Sequence, residues 1–194
     1  MPPSMKQRIL AAVVTAVALV AAAPTAGSVA AAPPLDDTAG ALVGASRADN
    51  ARPTTDRVLG GTSVELDARL RSVLELTNAE RTARGVAPLR LDVRLNRAAQ
   101  AHSDEQAARG AMSHTGADGS SPGDRIDRTG YRWSRWAENV AAGYGSADAV
   151  VRGWMGSDGH RRNILNPQLT ELGLGVAVTP SGTPYWTQVF ATPA

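Results

Sequence analysis

The order in which two periodicities appear along this chain limits its fold more than any other feature. Apolar residues recur at helical spacing from about residue 63 to 165, and only then come two short segments of strand character. Leu66, Leu70, Val73, Leu74 and Thr77 mark a first helix over 63–84, stopped by Gly85, and 86–91 with Pro88 is a loop. Asp92 is the expected N-cap of a second helix reaching Arg109 before Gly110, with Leu95, Ala98, Ala99 and His102 on its buried stripe. Pro122 suits the first position of a short helix that carries Asp124, Arg125 and Ile126 and ends at Gly130. Ser146 caps a further helix with Val150, Val151 and Trp154 on one face, ended by Gly159, and 160–165 adds one turn.

Two strands close the chain, 172–178 and 185–191, and the Pro- and Gly-containing 179–184 between them is a hairpin connection. Residues 138–142 are a candidate third strand. Helices first and paired strands late predict an α+β fold with an antiparallel sheet.

The N-terminal third sets organisation and compartment. Lys6 and Arg8 precede an apolar run over 9–23, and Ser28-Val29-Ala30 is a small-x-small cleavage site. The run is about 15 residues where about 20 are needed to span a bilayer, so residues 1–30 are expected to be a cleaved signal peptide rather than an anchor. Residues 31–62, rich in Ala, Pro, Thr, Gly and Asp, lack aromatics and sustained periodicity and are expected to be a disordered linker. The folded domain is then 63–194, a normal size for one core. These features predict a secreted product, extracellular or associated with the cell wall, with no transmembrane anchor after cleavage.

Charge and composition exclude some functions. Residues 1–30 hold two of the 20 Lys and Arg and none of the 18 Asp and Glu, so 18 of each remain after cleavage. A neutral domain has no bulk electrostatic reason to bind nucleic acid. The chain has no cysteine, which excludes disulfides and a lipid-bearing thiol.

Two short motifs fail on chemistry. Gly119-Ser120-Ser121-Pro122-Gly123 matches a nucleophile elbow by letter, but Pro122 has no N–H to offer an oxyanion. Gly173 and Gly175 resemble a dinucleotide loop, yet they lie in a strand and lack the third glycine. Glycine there serves close packing of a helix on the sheet.

His114, Glu138 and His160 are the candidate site. Imidazole and carboxylate groups bind divalent metals or exchange protons near neutral pH. They are separated by 24 and 22 positions, so only tertiary folding can unite them, and hydrogen-bonded caps at loop ends are the competing role. His102, on an apolar stripe, is expected to be a satisfied core histidine. Trp154 and Trp186 are expected in the core; Trp133 and Trp136, in a loop before Glu138, are candidate pocket walls.

Six ordered pieces carry a family resemblance: LTNAER from Leu76, SHTGADGSSPGDR from Ser113, AENVAAGY from Ala137, GWMGSDGHRRNILN from Gly153, TELGLGVAV from Thr170 and YWTQVF from Tyr185. The chain resembles the CAP superfamily of cysteine-rich secretory, antigen 5 and pathogenesis-related 1 proteins, in its exported bacterial branch. The resemblance implies an α-β-α sandwich with a small antiparallel sheet between helical layers and a central cavity. It also implies a cavity of two His and two Glu able to hold Zn²⁺ or another divalent cation, with His114, Glu138 and His160 as three of the four. Ser157 stands where the second glutamate falls, Glu171 is a candidate substitute, and Asn139 and Trp136 are accessory candidates. The implied function is a non-enzymatic binding module for a lipid, small ligand or cell-envelope component. The alternative is a metal-assisted hydrolase or peptidase.

Overall fold

Side chains that satisfy the first amide groups of each helix set the helix starts. In the computed structural model, which describes residues 41–44 and 67–194, Asp67 accepts the Arg69 N–H ahead of α1 (Ala68–Thr82). The expected start near Ser63 lies outside the described residues, as do the signal peptide and most of the linker. Asp92 accepts the N–H groups of Arg94 and Leu95 at the start of α2 (Val93–Arg109), and Gly110 closes it at φ 63°, a left-handed conformation that favours glycine. Ser121 and Asp124 form a reciprocal capping box on α3 (Pro122–Arg128). Ser146 caps α4 (Ala147–Gly156). That helix stops at Gly156 rather than Gly159, because Ser157 is extended at φ −102° and ψ 129° and begins α5 (Asp158–Ile164).

Among the described residues, five strands form one sheet in the order β1-β3-β5-β4-β2. Its centre is the antiparallel trio β3 (Trp133–Ala142), β5 (Pro184–Pro193) and β4 (Glu171–Val178), with Glu138 opposite Val189 and Leu172 opposite Phe190. Three expectations need correction. Residues 90–91, expected in a loop, form β2 (Arg90–Leu91) and pair with β4 in parallel, so the sheet is not wholly antiparallel. Trp133 and Trp136 lie in β3, which begins five residues before the expected 138. Within the expected linker, β1 (Ala41–Gly44) pairs antiparallel with β3, setting Gly44 opposite Trp136. A Cβ on Gly44 would come 2.1 Å from the Trp136 indole, so the backbone lies flat against that ring.

Strand alternation then sorts the core into two layers. On one face α2 and α3 cover Trp136, Val189 and Ala191 with Leu95, Ala98, Ala99 and Ile126. The approach is close: a Cβ on Gly173 would sit 2.1 Å from the Leu95 carbonyl carbon, and one on Gly175 would sit 2.5 Å from that of Ala99. These glycines serve helix-on-sheet packing, as their place in a strand predicts. The other face is the larger core, where Leu70, Val73, Val150, Val151, Trp154 and Ile164 from α1, α4 and α5 meet Leu172, Leu174, Trp186 and Phe190. Helices on both faces of one sheet make the α-β-α sandwich.

Candidate functional site

A fully buried carboxylate lies between β3 and the α2–α3 layer. Glu138 has no exposed surface, and both of its oxygens are taken. His114 Nδ1 donates to Oε1 at 2.7 Å, and Arg125 Nη2 donates to Oε2 at 2.8 Å. Arg125 also donates through Nη1 to the Ser120 carbonyl at 3.0 Å. Two of the three candidate residues therefore meet, joined by an arginine the sequence had placed only as a helix residue.

His102 completes the cluster. It is fully buried, as its stripe position predicts, and its Nε2 donates to the Ser113 carbonyl at 2.7 Å. The same nitrogen is 3.9 Å from Glu138 Oε1. Burial holds its pKa below the ordinary histidine value, against the opposing pull of Glu138, so the ring is neutral with its lone pair on Nδ1. His102 Nδ1 and His114 Nε2 are buried with no hydrogen-bond partner.

His160 sits in α5, in the other layer. Its Nδ1 and the Ser157 hydroxyl are 2.6 Å apart, so the residue at the expected glutamate position is the one that holds this ring. Its carbonyl accepts from Asn139 Nδ2 at 3.3 Å. Asn139 is the centre of a buried amide relay. Gln188 donates to Thr77 Oγ1 at 2.9 Å, Asn139 to Gln188 Oε1 at 3.1 Å, and Asn163 to Asn139 Oδ1 at 2.9 Å and to the Glu138 carbonyl at 3.2 Å. Four of the six motif pieces thus contribute a residue to one chain of hydrogen bonds. Arg81, from the first of them, is 1% exposed and donates to the carbonyls of Ala87, Ile164, Asn166 and Leu169, tying α1 to the segment after α5.

The remaining candidates fall elsewhere. Glu171, the candidate substitute for the second glutamate, instead accepts from the Tyr131 hydroxyl at 2.6 Å and from Arg90 at 3.2 Å. Burial, reinforced by that bond, raises the Tyr131 pKa. Trp136 is in the core, edge-on to Trp133 with centroids 6.3 Å apart, and a Cβ on Gly123 would lie 2.9 Å from its Nε1. Ser121 caps α3, which is why the nucleophile-elbow letters carry no nucleophile. Sequence reasoning missed Arg125 because a seven-residue helix is too short to show a buried stripe. It missed the site role of His102 because a satisfied core histidine and a site neighbour occupy the same stripe.

The donor set at Glu138 does not fit a divalent cation. One carboxylate oxygen is committed to a guanidinium and the other to an imidazole N–H, and a metal would have to displace a buried positive charge. Among the described residues no group of three or more His, Cys, Asp or Glu is arranged to hold a metal ion.

A groove lies away from this cluster, between α1 and the start of α4. It holds about 710 Å³ and is lined by Ala68, Ser72, Leu76, Ala79 and Ala147 together with the charged Arg69, Glu75 and Asp148. No helix among the described residues is long and apolar enough to cross a membrane.

Comparison with known proteins agrees with the geometry. A model of the cysteine-rich secretory protein family, CAP, matches residues 74–190. The uncharacterized protein YkwD of Bacillus subtilis (strain 168) is 38% identical over 120 residues, which are 62% of this chain and 46% of the relative. This chain therefore spans less than half the length of that relative. A crystal structure of an extracellular protein containing an SCP domain from Bacillus anthracis superposes with a TM-score of 0.57 at 30% identity, covering 62% of this chain and 39% of the other. An outer surface protein of Borrelia burgdorferi has a TM-score of 0.61 at 18% identity, covering 65% of this chain and 93% of the other, a likeness of fold alone.

Proposed function

Because this chain belongs to the cysteine-rich secretory protein (CAP) family, its open question is what it binds, and we propose an exported, non-enzymatic module that holds an apolar small ligand, such as a single-chain lipid of the cell envelope. The observation that carries this reading is the groove of about 710 Å³ between α1 and α4. Its size falls within the roughly 300–1,000 Å³ of small-molecule sites, and its apolar walls with a few charged side chains suit an amphipathic chain. The internally satisfied ion pair at Glu138 supports a structural role for the polar centre. Export rests on the N-terminal sequence pattern and on the extracellular origin of the Bacillus anthracis relative.

The test is titration of the purified chain with a fluorescent fatty acid. Saturable binding that is lost in Ala79→Trp, which fills the groove from α1, is the expected result. Binding that is absent, or unaffected by that substitution, contradicts the groove. N-terminal sequencing of the protein from culture supernatant tests export, with a start near Ala31 expected.

One observation favours a second reading, a hydrolase. Glu138 orients His114 through Nδ1 and leaves Nε2 without a partner, the way a carboxylate prepares an imidazole general base. That reading predicts that His114→Ala abolishes peptide or ester hydrolysis while the fold persists. A form with His114, Glu138 and His160 as metal ligands would first have to displace Arg125.

A further inference from the structure

We infer that a small cavity between α2 and α3 is a binding site for a phosphoryl group. The cavity holds about 200 Å³ and shares no lining residue with the groove between α1 and α4. Positions 97, 101 and 105 follow one another at four-residue spacing on α2, and 125 and 128 at three-residue spacing on α3, so each helix turns one ridge toward it. Ala98 and Ala101 are too short to fill the space, and the charged groups lining it are Arg97, Arg125 and Arg128 against a single acid, Glu105. The volume lies below the roughly 300–1,000 Å³ of small-molecule sites, yet it accommodates a phosphoryl group with a few waters.

Contacts already in place balance all of this charge except one. Glu105 accepts from Arg109 at 2.9 Å and from the Ala117 N–H. Arg128 donates to Asp118 at 2.6 Å, and Arg125 to Glu138 at 2.8 Å. Arg97 has no ion-pair or hydrogen-bond partner among the described residues, and its positive charge is the surplus. Donors are in greater surplus than charge. A guanidinium carries five N–H groups. Arg125 is only 7% exposed and spends two of them, on Glu138 and on the Ser120 carbonyl. A nearly buried cation that keeps free N–H groups beside a cavity calls for an acceptor there. Three guanidinium forks match the three terminal oxygens of a phosphoryl group better than the two of a carboxylate.

The experiment is a titration of the full chain with inorganic phosphate and, separately, with glycerol phosphate, followed by amide chemical shifts at an ionic strength held constant with chloride. Saturable shifts confined to the amides of 97–105 and 120–129 are the expected result. Tighter binding of glycerol phosphate assigns an esterified phosphoryl group and equal binding a free one, and both support the site. Arg97→Gln, a change at an exposed position, is expected to weaken binding about fivefold at an unchanged melting temperature. Ala101→Glu, also at an exposed position, adds a second acid to the cavity and is expected to abolish binding. Shifts that do not saturate, or that chloride alone reproduces, overturn the proposal, and so does an affinity that Arg97→Gln leaves unchanged.

Discussion

The two faces of the sheet are stabilised by different chemistry, although the same three strands supply both. The face under α2 and α3 has a smaller apolar cluster built around a buried ion pair, Arg125–Glu138, with His114 and His102 against it. The face under α1, α4 and α5 has the larger core, and its polar content is an uncharged relay of Asn139, Gln188, Asn163 and Thr77. Adjacent residues of one strand, Glu138 and Asn139, point into these two environments, because side chains alternate along a strand. Charge is tolerated where one partner can meet it, and amides are used where several elements must be joined at once. The most polar-looking part of the sequence is therefore chiefly what holds the two layers together.

The largest test breaks the charged face. Arg125→Ala or Glu138→Ala strands a buried charge, and each is expected to lower unfolding free energy by about 3–5 kcal/mol in denaturant titration. A loss below about 1 kcal/mol would mean the pair is solvated. On the opposite side, Arg81→Met removes a donor from four carbonyls, of which Asn166 keeps the Leu169 N–H, at an expected cost of about 3 kcal/mol by the same titration. Asn139→Ala, which cuts the relay at its centre, is expected to cost about 1–3 kcal/mol and to leave the Arg125–Glu138 coupling unchanged.

The smallest effect is the pH dependence that His102 gives the charged face. His102 has a folded-state pKa below the unfolded value of about 6.5, so the unfolded chain takes up the proton first as pH falls. Its contribution is therefore constant above about pH 6.5 and declines below it until the folded-state pKa is reached. His102→Gln is expected to flatten that part of the stability–pH curve, measured by melting temperature between pH 7 and 5. An unchanged slope would assign the dependence to another group.

Legibility in the sequence followed the reach of each signal. The helices were legible because caps and stripes are local: Asp92, Ser146, Pro122 and Gly110 stand where their chemistry demands. The late hairpin was equally clear, and the six motif pieces carried the family. What was not legible needed partners distant in sequence. β1 is four residues of small and branched type whose pairing is supplied by the free edge of β3. The start of β3 was hidden because Trp133–Arg135 lacks alternation and includes a register shift against β5. At the site, His114 and Glu138 were found by residue type, whereas Arg125 looks on paper like any helix arginine. His160 was found, but its partner was three residues away in Ser157, a spacing that places both at the start of one short helix. His102 lies in the core, as its stripe position predicts, but its Nδ1 has no partner, and only the fold shows that this part of the core borders Glu138.

The most direct test of the account is a double-mutant cycle on Arg125→Met and Glu138→Gln, read as unfolding free energy. If the pair is the structural centre of the α2–α3 face, each single variant is strongly destabilised and the double variant recovers much of the loss, because neither charge is left alone. Additive losses, with the double variant as unstable as the two singles combined, would contradict it.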